Sequence, residues 1–107
     1  MAAVVTENDI CALLESPSSG DGAPTLEHIE NALTTGYARA MALEAEHSRL
    51  QRRIAEVAVE LADEEDALPD PELKRLAQEL KAARRDLVRL RTLLESLRTR
   101  ADAARAA

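Results

Sequence analysis

The sequence contains no phenylalanine and no tryptophan, and Tyr37 is its one aromatic residue. A globular core in a chain of 107 residues would ordinarily use several aromatics, because they bury the most area per side chain. Their absence excludes that kind of core and leaves leucine and alanine to fill it. Cys11 is the single cysteine. An intramolecular disulfide and a cysteine-based metal site are therefore excluded, and a small apolar residue on a helix is the expected role. The two histidines, His28 and His47, stand nineteen residues apart. They form no HExxH, paired-histidine or Cys/His spacing, so a zinc site would need ligands from another chain. No Gly-rich phosphate loop, nucleophile elbow or Ser/His/Asp set is present. No run approaches the ~18 apolar residues of a membrane span, and the first residues lack the basic and then apolar pattern of a secretory leader. The expectation is one domain with no catalytic residue, no cofactor, no metal and no membrane span, located in the cytoplasm.

What the chain does have is leucine, alanine, glutamate and arginine, the composition of long helices and coiled coils. Its formal charge is −6, but that charge is distributed unevenly. Residues 1–24 carry four acids and no Lys or Arg, residues 25–68 ten acids against four arginines, and residues 69–107 six acids against ten bases. An acidic arm followed by a basic one is what a self-pairing hairpin uses. The basic arm alone would suit nucleic acid or an anionic membrane surface. The acidic arm is its nearer partner, so nucleic acid is not expected to bind.

Taken in order, residues 6–15 predict a short helix capped by Thr6, with Glu7 and Asp9 in the first turn, where the helix dipole favours negative charge. Ile10, Leu13 and Leu14 form its apolar edge, and a helix of this length needs something to dock on. Residues 16–24, with Pro17, Gly20, Gly22 and Pro24, read as a flexible linker. Thr25 is the expected N-cap of a long helix over 26–67. Its heptad positions are Leu26, Ile29, Leu33, Gly36, Ala40, Leu43, His47, Leu50, Ile54, Val57 and Leu61. Pro69 and Pro71 stop any continuous helix and leave a turn at 68–70. Asp70 can cap the second helix, 71–105, with Pro71 in its first position. Leu73, Leu76, Leu80, Ala83, Leu87, Leu90, Leu94, Leu97 and Ala101 continue the heptad there. The fold class is therefore all-α, a long antiparallel helical hairpin (coiled coil) with a short N-terminal helix. Folding about the expected turn pairs Leu50 with Leu87, Ile54 with Ala83 and Gly36 with Ala101. It also sets Arg53 opposite Asp86 and Arg39 near Arg100.

In that register Leu26 and Ile29 run past the end of the second helix. The Ile10, Leu13 and Leu14 edge is the economical cover, and a second copy of the chain is the other. Gly36 implies either a closely approaching partner backbone or a bend. His47, at a core position, fixes register or acts as a pH switch. Tyr37, as the sole aromatic, is a candidate partner contact. So are the acids Asp63, Asp66 and Asp70 near the hairpin tip, which do not follow EF-hand spacing.

The stretch Thr25-Leu26-Glu27-His28-Ile29-Glu30-Asn31-Ala32-Leu33-Thr34-Thr35-Gly36-Tyr37, continuing through Arg52-Arg53-Ile54, resembles small uncharacterised coiled-coil proteins of actinobacteria. That resemblance implies no activity. The hinge Leu68-Pro69-Asp70-Pro71 resembles the coiled-coil tip of DksA-type factors, whose acidic hairpin enters the RNA polymerase secondary channel. There the tip carries Asp-x-x-Asp-x-Ala; Asp70 matches its first Asp, while Leu73 and Arg75 replace the other two residues. The expected function is a non-enzymatic protein–protein interaction module, an adaptor, assembly subunit or regulator, with a protein partner or a second copy of itself. The alternative is a transcription regulator working through the acidic tip.

Overall fold

The computed structural model describes residues 2–63 and 71–106, and the chain is all-α. Three helices follow one another: α1 (Ala2–Glu15), α2 (Leu26–Ala62) and α3 (Pro71–Ala106). The two long ones form the helical hairpin. With Leu26 and Leu73 as heptad a positions and Ile29 and Leu76 as d positions, the apolar series coincides with the buried residues. Leu33, Ala40, Leu43, Leu50 and Val57 are buried on α2, and Leu76, Ala83, Leu87, Leu90, Leu94, Leu97 and Ala101 on α3. A stripe repeating every three and four residues keeps one helix face turned to its neighbour.

Three boundaries differ from the sequence expectation. Helix α1 starts at Ala2, four residues before position 6, because alanine extends a helix readily. Thr6 is therefore not its cap but a buried residue within it, and no acid lies in its first turn. Helix α2 ends at Ala62 and Asp63 stands in a turn, so the helix does not reach 67. A run of four acids begins at Asp63, and negative charge at a helix C-terminus opposes the dipole. Helix α3 starts at Pro71 as expected and ends at Ala106. The turn assigned to 68–70, with Asp70 as cap, lies outside the described residues.

Thr25 caps α2. Its Oγ1 accepts the His28 amide at 3.1 Å, and its carbonyl accepts the Ile29 amide at 3.1 Å. Ahead of it, Gly20 and Gly22 take φ values of +80° and +84°. That left-handed region is open to glycine without steric cost, and the Ala23 amide closes the turn onto the Gly20 carbonyl at 3.2 Å.

The chain divides into two compact units, Met1–Met41 with Val88–Ala107, and Ala42–Leu87. In the first, Gly36 faces Leu94, one heptad short of the Ala101 it was expected to meet. In the second, Arg53 bonds Glu72 at 2.9 Å rather than standing opposite Asp86. The partner of Gly36 thus lies one heptad, and that of Arg53 two heptads, before the expected one along α3. A slip of a whole heptad keeps every a and d residue on the seam, so the pattern alone does not distinguish the two registers.

Candidate functional site

In the first unit α1 packs against both long helices, and the contact is built around Gly36. A Cβ placed there would overlap the Leu94 side chain and lie 3.2 Å from Ile10 Cδ1. The missing side chain thus makes a notch that two others fill. Ile10 is completely buried and Leu94 nearly so. A glycine at position 36 left two options, a close backbone or a bend. Here side chains enter the space, and α2 continues unbroken through it.

The end of α1 is tied down by charge. The Arg100 guanidinium donates from Nη1 to the Leu13 carbonyl and from Nη2 to the Ser16 carbonyl. The last carbonyls of a helix have no partner within it, and a cation is favoured at that negative end. Ser16 adds to this: its Oγ donates to the Ala12 carbonyl at 2.8 Å and its amide to the Leu13 carbonyl at 3.3 Å. Nearer the start of α1, Glu7 pairs with Arg89 at 3.5 Å. The order Glu7–Arg89, Ile10–Leu94, Leu13–Arg100 runs the same way along both helices, so α1 lies parallel to α3. The expected Arg39–Arg100 repulsion is replaced by a cap, because Arg100 turns to the carbonyls. The residue pattern places Arg100 near Arg39 and gives no signal for this role, because a carbonyl leaves no mark in the sequence.

The anticipated overhang of α2 does not exist in this unit. Arg105, near the end of α3, bonds Glu30 at 3.1 Å, so α3 reaches the start of α2. Ile29 is buried and shares a cleft with Pro17, Pro24, Ala103 and Ala104. The linker and the last turns of α3 line its surroundings. Leu26 and Leu14 are half-buried, and Leu13 is buried. Between α1 and α2, Thr6, Asp9, His28, Asn31, Ala32 and Thr35 line a shallow cleft of about 230 Å³. Cys11 is a free, half-buried thiol.

The candidate contact residues fall in different places. Tyr37 is 41% exposed, and Met41, one turn further on, is 69% exposed. At about 100° per residue, both sit on the side of α2 away from His28, Ala32 and Thr35. Asp63 is exposed in the turn after α2. Asp66 and Asp70 lie outside the described residues. His47 is half-buried on α2. Among the described residues, no group of three or more His, Cys, Asp or Glu is placed to hold a metal ion, and no helix is long and apolar enough to cross a membrane.

The second unit has its own core of Leu50, Val57, Leu76 and Ala83, against which Ile54, Leu61, Leu73 and Leu80 pack while partly exposed. Arg53 joins the two helices there. It donates to Glu72 from Nη2 at 2.9 Å and from Nε at 3.3 Å, and to Glu56 at 3.3 Å. The Glu72 hydrogen bond first, and the Glu56 bond second, hold the Arg53 guanidinium above its ordinary pKa. Against this geometry, no protein-family model, no curated protein and no solved structure matches the chain.

Proposed function

We propose that the protein is a non-enzymatic protein–protein interaction module, an adaptor, assembly subunit or regulator that acts through its helical surfaces in the cytoplasm. The observation that carries this reading is the Tyr37–Met41 pair, an exposed aromatic and an exposed thioether one turn apart on α2. Tyrosine offers a large apolar body with a polar tip and little conformational entropy to lose. Methionine adapts its shape to a partner. Gly36, adjacent to Tyr37, is locked into the Ile10–Leu94 contact, so the pair is presented from a fixed backbone. Pre-organisation of that kind lowers the cost of binding. Self-association through the same face belongs to this reading.

The test is cross-linking in the native host followed by affinity capture, comparing the parent with Tyr37→Ala/Met41→Ser. Partners that cross-link to the parent are expected to be lost from the variant at unchanged helicity. Sedimentation of the purified protein distinguishes a second copy from a foreign partner. Capture of the same proteins by both forms rejects the reading of this face.

A further inference from the structure

In the unit Ala42–Leu87 the two flanks of the helical seam are chemically different. The d positions Leu50, Val57, Leu76 and Ala83 are buried, while the a positions Ile54, Leu61, Leu73 and Leu80 remain partly exposed beside them. The flank next to the d positions is closed by charge, since Arg53 reaches from α2 to Glu72 of α3 at 2.9 Å. The flank next to the a positions carries Ala55, Ala58 and Ala62 on α2 and Ala77 on α3, all exposed. Half-covered leucine and isoleucine edged by methyl groups form a groove that another helix can approach closely.

We propose that this groove docks an amphipathic helix of a partner protein, apolar on one face and acidic along its flanks. The proposal rests on the interaction-module reading and names a second surface for it. The charges at the rim select the occupant. On α3 the rim consists of Lys74, Lys81 and Arg84, all exposed, at heptad positions b, b and e. On α2 the rim offers Gln51, Ala55, Ala58 and Ala62 at positions e and b, and its one described carboxylate in this unit is Glu44, one heptad before Gln51. A second copy seated on the same groove would bring its own Lys74, Lys81 and Arg84, three like charges, against the single Glu44 among the described residues of that flank. A helix with glutamate or aspartate on its flanks meets all three. Flanking charges of this kind set partner choice in helical seams.

The full-length protein is titrated with two fluorescein-labelled peptides of three heptads, both with leucine at a and d. One has glutamate and the other lysine at e and g, and binding is followed by anisotropy. The glutamate peptide is expected to bind at least about tenfold more tightly. The Ala58→Glu/Ala77→Glu variant fills the groove with charge at little cost in helix propensity, and is expected to lose at least about tenfold in affinity. Gln78→Glu, on the outer face, leaves binding unchanged. Lys74→Glu/Lys81→Glu reverses the preference between the peptides. Equal affinity for both peptides, no binding of the glutamate peptide, or undiminished binding by the groove variant would overturn the proposal. A dimer in sedimentation that the groove variant dissociates would seat a second copy there and overturn it equally. None of these outcomes touches the Tyr37–Met41 test, which substitutes residues of the other unit.

Discussion

Replacing Gly36 by alanine sets two effects of known size against each other. In a helix interior alanine is favoured over glycine by about 1 kcal/mol, so on propensity alone the change stabilises α2. The new Cβ, however, overlaps the Leu94 side chain and lies 3.2 Å from Ile10 Cδ1. Leu94 is only 2% exposed and Ile10 not at all, so neither can turn into solvent. Overfilling a closed core costs about 1–3 kcal/mol. The difference is a net loss of about 1 kcal/mol, which for a slope of about 1–3 kcal/mol/M lowers the urea midpoint by ~0.3–1 M. The decisive comparison is the same substitution in a Leu94→Ala background, which costs about 2–5 kcal/mol by itself. There the overlapping atoms are gone and Gly36→Ala should stabilise by about 1 kcal/mol. The coupling in this double-mutant cycle is therefore about 2 kcal/mol, within the range found for residues in contact. Urea unfolding followed by circular dichroism measures all four proteins. If Gly36→Ala stabilises the parent, or has the same sign in both backgrounds, the notch does not work as described.

Three further predictions follow from individual contacts. Arg100→Met keeps the aliphatic stem and removes the donors to Leu13 and Ser16, so amide exchange in α1 should accelerate by the equivalent of about 1–2 kcal/mol, with residues 50–57 and 76–83 unaffected. Thr25→Ala removes the α2 cap at a cost of about 1 kcal/mol, seen as a fall of about 4–8 °C in the thermal midpoint; an unchanged midpoint would contradict that role. Arg53→Gln lowers stability by an amount that shrinks in ~1 M salt, as expected for a partly exposed pair. Because the folded-state pKa of Arg53 is raised, its contribution is complete below the unfolded value and is lost only as pH rises through the folded one. Between about pH 6 and 9 the difference from the parent should stay constant, and titration of that difference within this window would refute the assignment.

Much of the architecture was legible in the residues. The heptads gave two helices, Thr25 gave the start of α2 and Pro71 the start of α3, because each depends on local chemistry within one turn. The register was not legible. A slip by whole heptads leaves the same residues on the seam, so the pattern does not choose between registers. Arg100 illustrates the same limit for the α1 contact: the expected register sets it near Arg39, whereas its partners are two carbonyls at the end of another helix. Thr6 was read as a cap because it precedes two acids, yet alanine and valine upstream carry the helix past it. Local signals held wherever the answer lay within a few residues and failed where it depended on contacts between residues distant in the sequence.

The docking site of α1 also has an order in time. Ile10 needs Gly36 and Leu94 together, and the carbonyls of Leu13 and Ser16 need Arg100. During synthesis α1 leaves the ribosome before either long helix, and its seat is complete only after most of the chain has followed. Isolated helices of this length are marginal in water, so α1 depends on that seat for its stability. Until Leu94 and Arg100 have emerged, the nascent chain carries Ile10, Leu13 and Leu14 without a seat, open to a chaperone.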